Sequence, residues 1–588
     1  MRKIYFIFFQ LTLILPATAQ YYIRGDVKDE RNQPLQNVKI YMPATHGLYH
    51  SGGSGGFGIP SANLYDSLIF SADGYETRAL KIRTDIYQEI TLKLTAGSLT
   101  TQKQKLISLT IGKEGHIYPT SYYDNESYNS ILENDFIKAG SSHTTAFSMR
   151  IDKASYSNVR RFINQENKVP ADAVRIDEML NYFNFNYKEP GGNNIFRMES
   201  QLTDCPWNKQ HELLFLNLSD KKLNLDKVPP SNLVFLIDIS GSMDLPNRLP
   251  LLKEAFQLLV KNLRAKDTVS IITYGGSVGV WLQPTSGDQK EKITRAIEQL
   301  VAEGDTPGEA AIRMAYKAAK NTFIKHGNNR IILATDGDFN IGETTERALE
   351  ELISKEKESG VYLTCLGVGM GNYKDSKIEI LAKKGNGNFA YLDNINEAEK
   401  VLVKEFTQTL YSIANDVYLT VSFNSDLVKE YRLIGYENKR NVLDESGEEL
   451  EGGEIGPETG NTAIFEIIPV PKDSTRDSLP YFANLTLHYR LPGDTTGNYV
   501  THICPNNYLP FDSIVTDLRF ATAVSMFGLK LRESEYFPDD VTWDDIRDIA
   551  TNASRKDDYV ENEFIGLVTK CKSMYHDAKK KRKKRNGD

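Results

Sequence analysis

Cysteine is scarce, with four residues (Cys205, Cys365, Cys504 and Cys571) in a chain of 588. That count argues against a disulfide-stapled scaffold, and no Cys-x-x-Cys pair is present to hold zinc. Four thiols allow three pairings, and their spacing does not choose among them. Cys365 lies in Val361-Tyr362-Leu363-Thr364-Cys365-Leu366, which reads as a buried strand, so it is expected to be a core thiol. The nine histidines are scattered. His326, near a helix end, reads as a surface or capping group. There is no His-Glu-x-x-His and no Gly-x-Ser-x-Gly, so no nucleophile paired with a base is visible and the chain is not read as an enzyme. Charge of one sign is lacking too: the net charge of -8 creates no pull toward nucleic acid. Past the N-terminus, no apolar run approaches membrane length.

At 40% hydrophobic and 25% charged, the composition is that of a folded protein. The length suggests roughly three to five domains. Arg2 and Lys3, an apolar run from Ile4 to Leu15, and Ala17-Thr18-Ala19 read as an export signal over residues 1–19. The alternative is an uncleaved anchor, but the run is short for a bilayer span. Export implies the periplasm or the cell surface. Residues 20–96 alternate short strand-like runs, such as Val38-Lys39-Ile40-Tyr41, with glycine-rich turns, which predicts a small β-sandwich. Residues 97–140 are polar and lack apolar periodicity, which predicts a linker. From Thr145 the texture changes: Phe147 to Asp152 reads as a strand, and helices are expected around Val159 and Phe162 and from Ile176 to Phe183.

Residues 231–412 alternate strands and helices. Leu233-Val234-Phe235-Leu236-Ile237 is a continuous apolar run, as in a strand buried on both faces. Leu251, Leu252, Ala255, Leu258 and Leu259 then line one helix face. Further apolar strands at Val269 to Ile272, Ile331 to Leu333 and Tyr362 to Leu366 predict a mostly parallel sheet covered by helices. Residues 413–575 return to β character, followed by helices at Phe520 to Leu531 and Asp544 to Ala553. Asp444 to Glu458 reads as an acidic loop. Residues 576–588 form a basic tail, expected to be a disordered, solvated end, with anionic lipid as the alternative.

One segment carries chemistry. Asp238-Ile239-Ser240-Gly241-Ser242-Met243 follows the apolar strand and precedes a helix, at the crevice where open parallel sheets bind ligands. A carboxylate and two hydroxyls at alternate positions converge as hard oxygen donors, which suit Mg²⁺, Mn²⁺ or Ca²⁺ over zinc or copper. Thr306 lies in a loop before the next helix. Asp336 follows the strand Ile331-Ile332-Leu333-Ala334, with Asp338 as its rival. Together Asp238, Ser240, Ser242, Thr306 and Asp336 resemble the metal-ion-dependent adhesion site of von Willebrand factor A domains. The resemblance implies a Rossmann-like α/β fold with helices on both faces of its sheet. It also implies a divalent cation, Mg²⁺ first, with a position left for an acidic side chain of a protein partner. Asp305 stands where relatives often carry Ser.

The flanks extend this resemblance. Asp152 to Phe162 and Val174 to Phe183 resemble the N-terminal segment (141–230) of a bacterial family of exported von Willebrand factor A proteins. Tyr431 to Asn438, Gly453-Glu454-Ile455-Gly456 and Phe520 to Val524 resemble its uncharacterised C-terminal region. The pattern Gly25-x-Val27, Pro34-Leu35, Gly56-x-Gly58 and Gly74-Tyr75 resembles a carboxypeptidase-regulatory-like domain. Arg160, Arg161, Arg175 and Arg432 are expected to pair with acids such as Glu178 and Glu437. The segments before Ser231 and after Asp416 are expected to form one β unit, with the A domain inserted between them. Cation-dependent protein binding is the leading expectation. The alternative is an envelope scaffold whose ion only stabilises the fold.

Overall fold

The computed structural model describes residues 21–93 and 126–585, apart from 31–33, 36–37, 53–54, 73–74, 222–227, 305–307, 339–345, 438–451, 472–478 and single positions 62, 85, 193, 372 and 495. The expected export signal lies outside these residues. The chain divides into two compact units, Met1–Pro119 and Thr120–Asp588.

In the first unit β1 (Tyr21–Asp29), β2 (Lys39–Met42), β3 (Gly47–His50), β4 (Gly56–Ser61), β5 (Tyr65–Ser71), β6 (Arg78–Arg83) and β7 (Gln88–Leu92) form two sheets, ordered β4-β1-β7 and β3-β2-β5-β6. Alternate residues such as Ile23, Val27, Ile40, Leu68 and Phe70 close one apolar core, as period-two patterning requires. This is the small β domain expected over this stretch.

The second unit opens with β8 (Ile137–Lys138), β9 (Thr144–Ser148), α1 (Ala154–Asn164), α2 (Ile176–Asn181), β10 (Phe196–Asp204) and β11 (Glu212–Asp220). The α/β part follows: β12 (Ser231–Asp238), α3 (Leu249–Lys261), β13 (Thr268–Gly275), β14 (Ser277–Ser286), α4 (Lys290–Glu298), α5 (Gly308–Asn321), β15 (Asn328–Thr335), α6 (Glu346–Lys357), β16 (Tyr362–Gly367), α7 (Asp375–Lys384), β17 (Phe389–Tyr391), α8 (Ile395–Glu399) and α9 (Phe406–Leu410). Its sheet is ordered β14-β13-β12-β15-β16-β17, parallel except for the edge strand β14. All of β12 is buried. Leu233, Phe235 and Ile237 pack toward α3, α4 and the turns near Leu402, while Val234 and Leu236 pack toward α5 and α7. Each such buried aliphatic side chain contributes about 2 kcal/mol. A strand with apolar partners on both faces therefore has no tolerance for the alternation of a half-exposed one.

The chain ends with β18 (Ala414–Phe423), β19 (Val428–Ile434), β20 (Gly453–Ile455), β21 (Gly460–Pro469), β22 (Tyr481–Arg490), β23 (Gly497–Pro505), α10 (Thr516–Leu531), α11 (Trp543–Ala553) and α12 (Tyr559–Arg585). Strands from both sides of the α/β part share sheets. One is ordered β10-β11-β21-β19-β8, and in the other β9 pairs with β18 beside β22 and β23. A second core packs α1 and α2 against α10, α11 and α12. The α/β part is thus an insertion in one β and helical body.

Three expectations change. Residues 126–140 belong to this body: Asn134 Nδ2 donates to the carbonyls of Leu433 and Gly435, and β8 pairs with β19. Their polar side chains make hydrogen bonds that are buried at Asn134 and mostly half-buried elsewhere, which apolar periodicity does not register. Of the expected acidic loop, residues 444–451 lie outside the described residues, but Gly453–Ile455 is a strand against β18. The basic tail continues α12 as helix to Arg585, in keeping with the helix propensity of Lys and Arg. The four cysteines are free and buried, Cys365 within β16 as expected. His326 is exposed, in the turn after α5.

Candidate functional site

Strands β12 and β15 are parallel neighbours, and each delivers an aspartate at its carboxyl end. β12 is also where the strand order reverses, with β13 on one side and β15 on the other. A crevice opens at such a switch point because the connections leave in opposite directions. Asp238 and Asp336 are both fully buried there.

The turn after β12 is tied down by its backbone. Ile239 N–H donates to Tyr274 O at 2.9 Å and Gly241 N–H to Gly304 O at 3.0 Å. Ser240 N–H donates to Asp238 Oδ1 at 2.9 Å, and the Ser240 and Ser242 hydroxyls lie 3.2 Å apart. From β15, Thr335 Oγ1 donates to Asp238 Oδ2 at 2.9 Å. Asp336 Oδ1 accepts from Asp338 N–H at 3.0 Å, which leaves exposed Asp338 at the rim and Asp336 inside. Burial, reinforced by the charge of Asp336, pushes the Asp238 carboxyl well above the usual carboxylate range. Burial also raises that of Asp336, against the opposing charge of Arg248. Tyr274, buried beside this pair, is raised by burial and then by the Asp238 charge.

Four of the five expected residues, Asp238, Ser240, Ser242 and Asp336, therefore share one crevice. Thr306 and Asp305 lie outside the described residues. The residues before them reach the crevice: Glu303 N–H donates to Ile239 O at 2.6 Å. Gly304 (φ +79°) has no room for a side chain, since a Cβ would stand 2.3 Å from Gly276 N.

Arg248, just ahead of α3, was not foreseen. Its Nη1 donates to Asp336 Oδ2 at 2.8 Å and to Ser242 O at 2.5 Å, and its Nη2 to Met370 O at 2.9 Å. The available signal was an arginine at a helix N-terminus, where the dipole disfavours a cation and only a nearby acid compensates it.

The flanking arginines form buried pairs. Arg175 binds Glu178 and Asp375, each at 2.7 Å. Arg160 holds Asp393 and Glu397, Arg161 holds Glu126 at 2.7 Å, and Arg432 holds Glu466 at 2.6 Å. Pairing with acids was expected, Glu178 included. Glu437 instead takes Arg532. Asp375, Asp393 and Glu397 sit across the junction with the α/β part, whereas Glu178, Glu126 and Glu466 lie in the flanking body.

Residues 233–338 match the family described as von Willebrand factor type A domain, and residues 122–215 the one described as von Willebrand factor. Fold and match together make this a von Willebrand factor A protein, a class whose domain typically mediates protein–protein interaction. Residues 408–574 match the family described as the C-terminal region of the uncharacterized protein YfbK. Uncharacterized protein YfbK of Escherichia coli (strain K12) is 37% identical over 465 residues, spanning 75% of this chain and 80% of that protein. The chain belongs to the YfbK family. Inter-alpha-trypsin inhibitor heavy chain H2 of Homo sapiens is 26% identical over 211 residues, and the match spans 21% of that protein. Among solved structures, von Willebrand factor type A from Catenulispora acidiphila superposes with a TM-score of 0.37 at 15% identity, over 63% of this chain and 88% of that one.

Proposed function

We propose that the crevice at Asp238 binds a divalent cation, Mg²⁺ first with Mn²⁺ and Ca²⁺ as substitutes, and that the bound site captures an acidic side chain of a protein partner. The observation that carries this reading is the pair of fully buried carboxylates, Asp238 and Asp336, beside the Ser240 and Ser242 hydroxyls. Two adjacent buried carboxylates are costly when ionised, and Arg248 supplies only one positive charge. The donor set fits a hard cation: oxygen throughout, with neutral hydroxyls in place of further carboxylates. Asp238, Ser240, Ser242 and Asp336 would hold it, with Thr306 as the fifth donor. Chemically, a divalent ion supplies an electrophilic position that an outside carboxylate can fill. The chain's own residues orient and shield that position. Leu245 and Val301, 39% and 65% exposed, stand near the two segments that frame the turn and offer apolar contact area to a partner.

On the export reading, the partner is met in the periplasm or at the cell surface. Titration calorimetry of the full chain with Mg²⁺ and Mn²⁺ tests the site. Wild type is expected to give a saturable heat that Asp238→Ala abolishes, and equal heats from both would remove the basis of the proposal. Chelator separates binding from scaffolding. Loss of partner capture with EDTA supports adhesion. A lowered melting temperature with unchanged capture supports an ion that only stabilises the fold.

A further inference from the structure

Arg248 is placed as if it were itself the cation of this site. Its side chain is 4% exposed, and its guanidinium spans Asp336 Oδ2, Ser242 O and Met370 O. The 369–371 loop is shaped around it. Gly369 adopts φ +87°, and a Cβ there would lie 2.6 Å from Arg248 Nε. The Tyr391 hydroxyl donates to Gly369 O at 2.5 Å. The same loop then reaches the N-terminal flank. Gly371 N–H donates to Glu126 Oε1 at 2.7 Å, and Arg161 of α1 holds both oxygens of Glu126, at 2.7 and 2.8 Å. Gln165 Nε2, just past α1, donates to Met370 Sδ at 3.2 Å. A continuous series of contacts therefore runs from Asp336 through Arg248 and residues 369–371 to Glu126 and Arg161.

We propose that Arg248 is an internal competitor for Asp336, exchanged when a divalent cation binds, and that this exchange releases the 369–371 loop from the site and signals occupancy to α1. The inference rests on the reading of Asp238, Ser240, Ser242 and Asp336 as a cation site. Its physical basis is electrostatic. A guanidinium and a divalent ion sharing one buried carboxylate repel strongly even at the effective dielectric of a protein interior. Both oxygens of Asp336 already accept hydrogen bonds, from Arg248 and from Asp338 N–H. An ion that takes Asp336 displaces the guanidinium or weakens its hold, and Met370 O then loses a donor. By reciprocity, any partner that pulls the 369–371 loop away from Arg248 tightens cation binding by the same factor.

The test compares full-length wild type with Arg248→Gln and Arg248→Lys, titrated with Mn²⁺ by calorimetry. Arg248→Gln removes the charge and is expected to bind about tenfold more tightly or better, while Arg248→Lys, which keeps the charge, stays within about threefold of wild type. Hydrogen exchange at the Gly371 amide supplies a second readout. Saturating Mg²⁺ is expected to speed it in wild type and leave it unchanged in Arg248→Gln. Gly369→Ala crowds the guanidinium without removing it and is expected to shift Mn²⁺ affinity in the same direction as Arg248→Gln. Thermal melting establishes which variants are folded. Equal Mn²⁺ affinity in wild type and Arg248→Gln overturns the proposal, as does unchanged Gly371 exchange in an ion-loaded wild type. Both results leave the cation site itself standing. If wild type gives no heat but Arg248→Gln binds, competition is supported and the native chain is not a cation binder. If neither binds, both readings fall.

Discussion

Glu405 shows how a single buried charge ties segments together. Its carboxylate accepts from Lys153 Nζ at 3.0 Å, just ahead of α1, and from Lys400 Nζ at 2.7 Å, at the end of the A domain. Burial raises its pKa, but the two ammonium charges outweigh burial and bring it to about 2. A carboxylate held below its unfolded value stabilises the fold above that value, near 4.3, and the contribution disappears as pH falls toward 2. Glu405→Gln is therefore expected to cost about 2–3 kcal/mol at neutral pH, as measured by urea unfolding. The gap to wild type should close between about pH 4.5 and pH 2. A gap that stays constant down to pH 2 would show that Glu405 is not held by the two lysines.

At the scale of elements, the central strands show what burial demands of an arginine. Arg330 lies in β15 with no exposed surface, its Nη1 2.7 Å from Thr364 Oγ1 and its Nη2 2.6 Å from Glu454 Oε1 on β20. Glu454 is 5% exposed. The pair clamps the A-domain sheet to the strand that follows the acidic stretch. Desolvating two charges offsets most of their attraction, but removing one partner strands the other. Arg330→Met alone is expected to cost about 3–5 kcal/mol, and adding Glu454→Leu should recover most of it. Chemical denaturation of both variants checks this. A double substitution as damaging as the single one would mean that packing, not charge pairing, sets the cost.

The whole second unit is one compact body rather than a string of modules. The A domain is entered and left through strands that share sheets, and Asp375, Asp393, Glu397 and Glu405 each have a cationic partner on the N-terminal flank. Residues 228–412 expressed alone would leave those carboxylates without their flanking partners. The excised A domain is accordingly expected to melt well below the same segment in the full chain. Calorimetry of residues 120–588 should show one transition for the whole body. A separate A-domain transition at the temperature of the excised piece would contradict this coupling.

Much of this could be read from the residues in order. A continuous apolar run such as Leu233 to Ile237 suits only a strand covered on both faces. An aspartate and two serines at its end present oxygen donors whatever surrounds them, so the α/β class, the Asp238 turn and Asp336 were legible. Local pattern also marked α1, α10 and α11. The tertiary structure alone decided what depends on residues distant in the chain. It set Arg248 against Asp336, paired Arg330 with Glu454, and tied residues 126–140 into the β body, with Ile137–Lys138 pairing β19. The reason is physical: periodicity reports which face of an element meets apolar neighbours, whereas a buried charge is defined by its partner, and that partner comes from another part of the chain.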